Sequence, residues 1–314
     1  MKLPSFRAAT DRLAGVCPPD VLDPPPTWFV AALGNAPSHS TVDVDGYSIH
    51  LRSWGDPALP TLVLVHGGGA HSGWWDHIAP LFADTHHVVA PDLSGHGDSD
   101  RRREYSIWTW AEEVLAAGTA LNANAFPTVV GHSMGGWVTA AAATRHGAEM
   151  AGIAVIDTPL QEHLPDDSHP PRNVHPPRGY YDRADLLARF RLIPPQTDAL
   201  PFVTNHIAEG SICERDGRWY WKFDPDIFTA AEVEFSTSET DSLERLLAGL
   251  QCRAAYMRCE HGVVPTTMST HIKSVMQLRG PFIELPAAGH HPMIDQPLAL
   301  VAALRAVLEI WSII

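Results

Sequence analysis

Residues 126–137 read F-P-T-V-V-G-H-S-M-G-G-W. At the centre, Gly131-His132-Ser133-Met134-Gly135 has the form G-x-S-x-G, with an apolar run before it (Phe126 to Val130) and a helical run after it (Gly136 to about Arg145). A serine at the tip of a sharp strand-to-helix turn sits in a strained backbone conformation. Gly131 and Gly135, two residues to either side, let the neighbouring backbone pass closely. Such a turn exposes the Ser133 hydroxyl as a nucleophile. It leaves the Met134 N–H free at a helix N-terminus, where it can stabilise an oxyanion. The plain alternative is a serine that only caps the helix.

The elements that would position this serine follow from the spacing of apolar residues. Thr41 to His50 alternates around Asp45-Gly46 and predicts a hairpin completed by Leu51 to Trp54. Thr61 to Val65 is a continuous apolar run, as a buried strand requires, and leads into His66-Gly67-Gly68-Gly69-Ala70. Glycines at a strand end allow backbone N–H groups to approach a ligand, so Gly68, with Gly69 next, is the expected second oxyanion donor. Trp74-Trp75 is expected to open a helix to about Ala83. His87 to Ala90 is a strand, followed by the glycine-rich loop Pro91 to Ser99. Asp92 and Asp98 are expected to tie that loop to the backbone. Tyr105 to Leu121 has helical spacing, and Met150 to Ile156 is the next buried strand, ending in Asp157-Thr158-Pro159. Apolar strands separated by helices predict an α/β fold with a mostly parallel, doubly wound sheet covered on both faces. In such sheets the site lies beyond the carboxyl ends of the strands, where Ser133, Gly68 and Asp157 all fall.

From 159 to 240 the composition shifts toward Pro and His, then to aromatic residues. This span is expected to be a cap inserted after the sixth strand. Helices are expected at Tyr181 to Phe190 and Leu200 to Glu209. A hairpin is expected at Asp216-Gly217, with Trp219, Trp221 and Phe223 alternating after it. Gly69, Trp74, Trp219 and Trp221 are candidate walls of an apolar pocket; ordinary packing is the other reading of the aromatics. A helix at Ser242 to Leu250, strands at Arg253 to Arg258 and Phe282 to Leu285, and a helix at Leu298 to Leu308 complete the core. The core thus comprises residues 41–158 and 241–314. Residues 1–40 are a proline-rich extension, with a helical turn or two at Trp28 to Leu33.

The formal net charge of −14 over 314 residues argues against a nucleic-acid or anionic-membrane partner. Arg101-Arg102-Arg103 is a short cluster, expected to be a solvated loop. The four cysteines have neither metal-ligand spacing nor the density of a disulfide framework. The 18 histidines are scattered, the pairs His86-His87 and His290-His291 are expected to diverge, and no metal site is expected. No N-terminal apolar h-region and no 18-residue apolar run is present, so a cytoplasmic protein is the expectation. Nothing in the pattern speaks to oligomeric state.

Taken together, H-G-G-G at 66–69, P-D-L-S-G-H-G-D-S at 91–99, G-H-S-M-G-G at 131–136 and A-G-H-H at 288–291 closely resemble an α/β-hydrolase. The resemblance covers roughly 41–158 and 241–314 in the family's order. It implies a Ser–acid–His triad with no cofactor or metal, acting on a small ester-like substrate. His290, after Gly289 in the loop following the last strand, is the implied base, with His291 the alternative. Relatives of this fold that open epoxides or remove halide carry aspartate at the elbow, whereas this chain has Ser133. Hydrolases that cleave C–C bonds do use serine and remain open. The resemblance also has a departure. The family's acid usually follows the seventh strand in a stretch like G-E-x-D-x-x-x-P, but here that stretch reads Cys259-Glu260-His261-Gly262-Val263-Val264-Pro265. Gly262 cannot orient an imidazole. Asp157, at the end of the sixth strand where a subset of the family keeps its acid, is favoured, and Glu260 is the alternative. The glycine also leaves open a non-catalytic ligand-binding protein on a hydrolase scaffold.

Overall fold

The computed structural model describes residues 24–160, 179–228, 243–276 and 280–313. The first described element, α1 (Thr27–Gly34), buries Phe29 and Ala32. Strands β1 (Ser38–Val44) and β2 (Tyr47–Trp54) form the expected hairpin, with Asp45 and Gly46 both at positive φ. Then come β3 (Thr61–Val65), β4 (His87–Pro91), α2 (Ile107–Thr119), β5 (Thr128–His132), α3 (Met134–His146) and β6 (Gly152–Ile156). After β6 lie α4 (Arg183–Leu187), α5 (Pro201–Gly210) and a two-stranded hairpin of β7 (Ile212–Arg215) and β8 (Arg218–Trp221). The chain closes with α6 (Leu243–Ala248), β9 (Arg253–His261), α7 (Thr266–Met276), β10 (Phe282–Gly289), α8 (Pro292–Asp295) and α9 (Pro297–Ile313).

The main sheet has the order β1-β2-β4-β3-β5-β6-β9-β10. Only β1 and β2 run antiparallel to their neighbours, and the six strands from β4 to β10 are parallel. The parallel strands β3, β4, β5 and β6 are buried at every position. That is why their sequences are continuous apolar runs rather than alternations. One apolar cluster, with Trp75, Phe82 and Leu300, lies on one face of the sheet; the other, with Trp110, Val138 and Tyr256, lies on the opposite face. Helix α2 begins where Ser106 accepts the Thr109 N–H (3.0 Å), and it buries Ile107, Trp110, Ala111 and Val114.

Several local expectations shift. The helix expected from Trp74 to Ala83 is instead two short 3-10 turns, Ser72–Trp75 and Ala79–Phe82. Pro80 lacks the N–H that an α-helix through this stretch would need. The helix expected over 181–190 is one short turn, capped by Asp182 and closed where the Arg191 guanidinium donates to the Ala188 carbonyl (2.8 Å). Strand β5 begins at Thr128, leaving Phe126 exposed. The arginine cluster is not simply solvated, because the Arg102 guanidinium is buried against Glu113 (2.8 Å). Asp98 pairs with Lys222 rather than with the backbone, while Asp92 accepts the Ser72 and Asp98 N–H groups as expected. The expectations for 1–23, for Cys17 and for the Pro/His-rich stretch 161–178 fall outside the described residues. No helix among the described residues is long and apolar enough to cross a membrane.

Candidate active site

Ser133 follows the last residue of β5 and precedes the first of α3, with φ 55 and ψ −124. Its side chain caps nothing, so the plain helix-cap reading does not describe it. The strained turn is held by close packing. A side-chain carbon on Gly131 would lie 2.1 Å from the Gly135 carbonyl oxygen, so only glycine fits. The Ser133 N–H donates to the Ile156 carbonyl (3.0 Å), and the Thr158 hydroxyl donates to the Ser133 carbonyl (2.9 Å). The elbow is thereby tied to the end of the neighbouring strand β6.

His290 lies one residue past β10 and is buried. Its Nδ1 is 2.8 Å from Asp157 Oδ2 and its Nε2 is 3.0 Å from Ser133 Oγ. A carboxylate only accepts, so the proton sits on Nδ1 and leaves the Nε2 lone pair facing the serine hydroxyl. Asp157 is fully buried, at φ 45, directly after β6. Its carboxylate also accepts the Cys259 N–H (3.1 Å) and the Val263 N–H (2.8 Å). Cys259 lies near the end of β9 and Val263 just past it, on either side of Gly262 and Glu260. A side-chain carbon on Gly262 would lie 2.1 Å from Asp157 Oδ2. The glycine at 262 is therefore the space that the Asp157 carboxylate fills. Glu260 is 46% exposed and accepts the Ala287 N–H (2.8 Å), turned away from His290.

The loop carrying His290 is clamped from several sides. Asp295 accepts the Gly289 N–H (2.5 Å), Gln196 Oε1 accepts the His291 N–H (2.9 Å), and His132 Nε2 donates to the His290 carbonyl (2.7 Å). His291 is not the group that meets Ser133. The pair His290-His291 does not diverge; the two rings are 4.7 Å apart, both buried, with His132 beside them. Burial and the adjacent His290 hold the pKa values of His132 and His291 well below the ordinary histidine value. Burial likewise pushes His71 and His77 down to about 4 and the Cys259 thiol up.

Gly68 and Met134 are neighbours: a side-chain carbon on Gly68 would lie 3.5 Å from the Met134 sulfur. His66 fixes the start of the glycine loop by accepting the Leu93 N–H at Nε2 (3.1 Å) while Nδ1 donates to the Gly67 carbonyl (2.8 Å). Of the pocket candidates, Gly69 lies beside Phe228, whose ring would be 3.1 Å from a carbon added there. Trp74 is buried edge-on to His291 (5.3 Å). Trp219 lies under the Arg183 guanidinium and Trp221 packs on Phe190. Sequence reasoning missed Phe228 and Gln196. Both lie in the span of shifted composition, where no periodicity marks which side chains face inward.

A family model described as "Alpha/beta hydrolase family" matches residues 62–304. The uncharacterized protein Rv2715 of Mycobacterium tuberculosis is 38% identical over 96 residues, 30% of this chain and 27% of that protein. Epoxide hydrolase A of the same organism is 30% identical over 128 residues, 40% of this chain and 39% of that protein. These matches thus span about a quarter to two fifths of the curated relatives' length. Among solved structures, a thioesterase domain from the curacin biosynthetic pathway superposes with a TM-score of 0.71 at 23% identity, over 86% of this chain and 100% of that one.

Proposed function

The chain belongs to the alpha/beta hydrolase family, and on that premise we propose that it is a serine hydrolase cleaving a carboxylic ester or a related acyl bond. The observation that carries this reading is the continuous hydrogen-bonded line from Ser133 Oγ through the His290 ring to Asp157 (3.0 and 2.8 Å). His290 Nε2 takes the hydroxyl proton as Ser133 Oγ bonds to the substrate carbonyl carbon. Asp157 holds the imidazole tautomer and stabilises the imidazolium. The N–H groups of Gly68 and Met134 receive the oxyanion; one such donor is worth about 2.7–4 kcal/mol. Collapse of the tetrahedral intermediate expels the alkoxide, which leaves with the proton from His290. Water, deprotonated by His290, then attacks the acyl-enzyme and frees the acid and Ser133.

A serine rather than an aspartate at the elbow favours acyl transfer over epoxide opening, despite the match to Epoxide hydrolase A. The Asp157 carboxylate in the space beside Gly262 supports a triad over a non-catalytic binding protein. We assign residues 159–240 as a cap, and Phe228 against Gly69 as part of the acyl pocket wall. No residue role in this reaction requires a cofactor.

Labelling with a fluorophosphonate, followed by mass mapping, tests the reading. Wild type is expected to carry the label on Ser133, and Ser133→Ala to lose both label and turnover of an aryl ester. Label on another residue, or normal turnover by Ser133→Ala, overturns it. Faster turnover of a ring-cleavage diketone than of the aryl ester would move the assignment to a C–C hydrolase.

A further inference from the structure

Among the buried groups that the reaction above does not use is His291. His291 is 4% exposed; the Ile193 carbonyl lies beside its ring, and neither ring nitrogen makes a well-formed hydrogen bond to another described residue. A buried imidazole left unsatisfied is costly, and such a group calls for an explanation. Its neighbours supply one. The rings of His132, His290 and His291 lie 4.7–5.4 Å apart, and one nitrogen from each lies within 4.8 Å of the others. All three residues are more than nine-tenths buried.

The tautomers are set as they are in metal-binding histidines, where one nitrogen donates to a carbonyl or carboxylate and the other presents its lone pair. His132 donates through Nε2 to the His290 carbonyl, leaving Nδ1. His290 donates through Nδ1 to Asp157, leaving Nε2. His291 has the Ile193 carbonyl beside it and no well-formed hydrogen bond among the described residues. Zn–N bonds of about 2.0–2.1 Å put tetrahedral ligands about 3.3 Å apart, so the nitrogens, now within 4.8 Å of one another, would draw together on an ion. Imidazole suits zinc, copper and nickel, and the buried Asp157 carboxylate offsets part of the ion's charge. Ser133, which bonds the His290 ring, is half-buried, and Gly68 is exposed.

We infer that a divalent transition ion of the zinc class binds between the imidazoles of His132, His290 and His291 and, by taking the His290 Nε2 lone pair, reversibly switches the hydrolase off. No bond to carbon is made or broken; the ion replaces the Ser133 hydroxyl hydrogen as the partner of Nε2. Binding stands on these three residues alone, whereas the switching-off rests on the proposed function.

The test uses the full chain stripped with a chelator. Co2+ is added, its visible d–d absorption is read, and Zn2+ inhibition of aryl-ester turnover is measured in parallel. Wild type and Ser133→Ala are expected to show the bands of four-coordinate cobalt. Wild type is expected to lose turnover to Zn2+ and regain it with chelator. His291→Asn and His132→Asn are expected to lose the bands. Each should need more than about tenfold more Zn2+ for half-inhibition, relative to its own zinc-free rate. Circular dichroism checks folding, and if one variant does not fold the other decides. Unchanged bands and inhibition in the folded variants overturn the inference, as does wild type with no bands and no inhibition. Cobalt bands in a wild type that turns over no ester would sink the proposed function and leave the metal site standing.

Discussion

Two adjacent strands end in carboxylate-bearing loops, and the two loops meet opposite fates. Strand β6 ends at Asp157 and its neighbour β9 runs on to Glu260 and His261. Asp157 is fully buried, accepts the N–H groups of Cys259 in β9 and of Val263 just past it, and holds His290. Glu260, 46% exposed, holds the Ala287 N–H of the β10 end. The loops are complementary, because Gly262 leaves open the volume the Asp157 carboxylate occupies. The Asp157 carboxylate thus occupies a volume that both strand ends can reach. The other loop must then withdraw its side chain and contribute backbone donors.

The comparison can be broken most sharply at Asp157. Asp157→Asn keeps the shape but removes the charge that holds the tautomer, and kcat for an aryl ester is expected to fall about 10⁴-fold. A fall of only a few-fold in steady-state kinetics would separate Asp157 from the reaction. Gly262→Ala comes next. Its methyl would lie 2.1 Å from Asp157 Oδ2. The displaced carboxylate is expected to cost about 10²-fold in kcat with KM nearly unchanged. Wild-type kcat in a folded Gly262→Ala protein would show that the two loops are not coupled. Gln196→Ala removes the acceptor for the His291 N–H and is expected to lower kcat by about tenfold, the worth of one hydrogen bond. A change in KM alone would place Gln196 in substrate binding instead of base positioning. Glu260→Gln should change kcat by about twofold or less, as an exposed substitution does. A loss matching that of Asp157→Asn would reverse the comparison.

How legible this site was depends on the reach of each signal. The Ser133 turn, the glycine loop and the β1–β2 hairpin each lie within about ten residues of sequence, and the structure holds all three where the pattern put them. His290 was legible as the candidate histidine after the last strand, and the structure places its ring against Ser133. The choice of acid was not forced, since Asp157 and Glu260 both sit at strand ends and periodicity says nothing of which one turns inward. The span over 179–228 was the least legible. Its single helical turn at α4 and the inward side chains of Gln196 and Phe228 follow from packing against distant loops.

By itself the sequence determined the layered α/β fold, the elbow at Ser133 and the loop at Gly68. Backbone sterics and apolar periodicity write these into short windows of chain. The tertiary structure alone decided the rest. It brought His290 to Ser133 across 157 positions and to Asp157 across 133. It filled the space at Gly262 with the Asp157 carboxylate, and it gathered His132, His290 and His291 into one buried cluster. The physical reason is common to all three. Which buried polar groups satisfy one another depends on the volume left between strand ends, and that volume exists only once the sheet has formed.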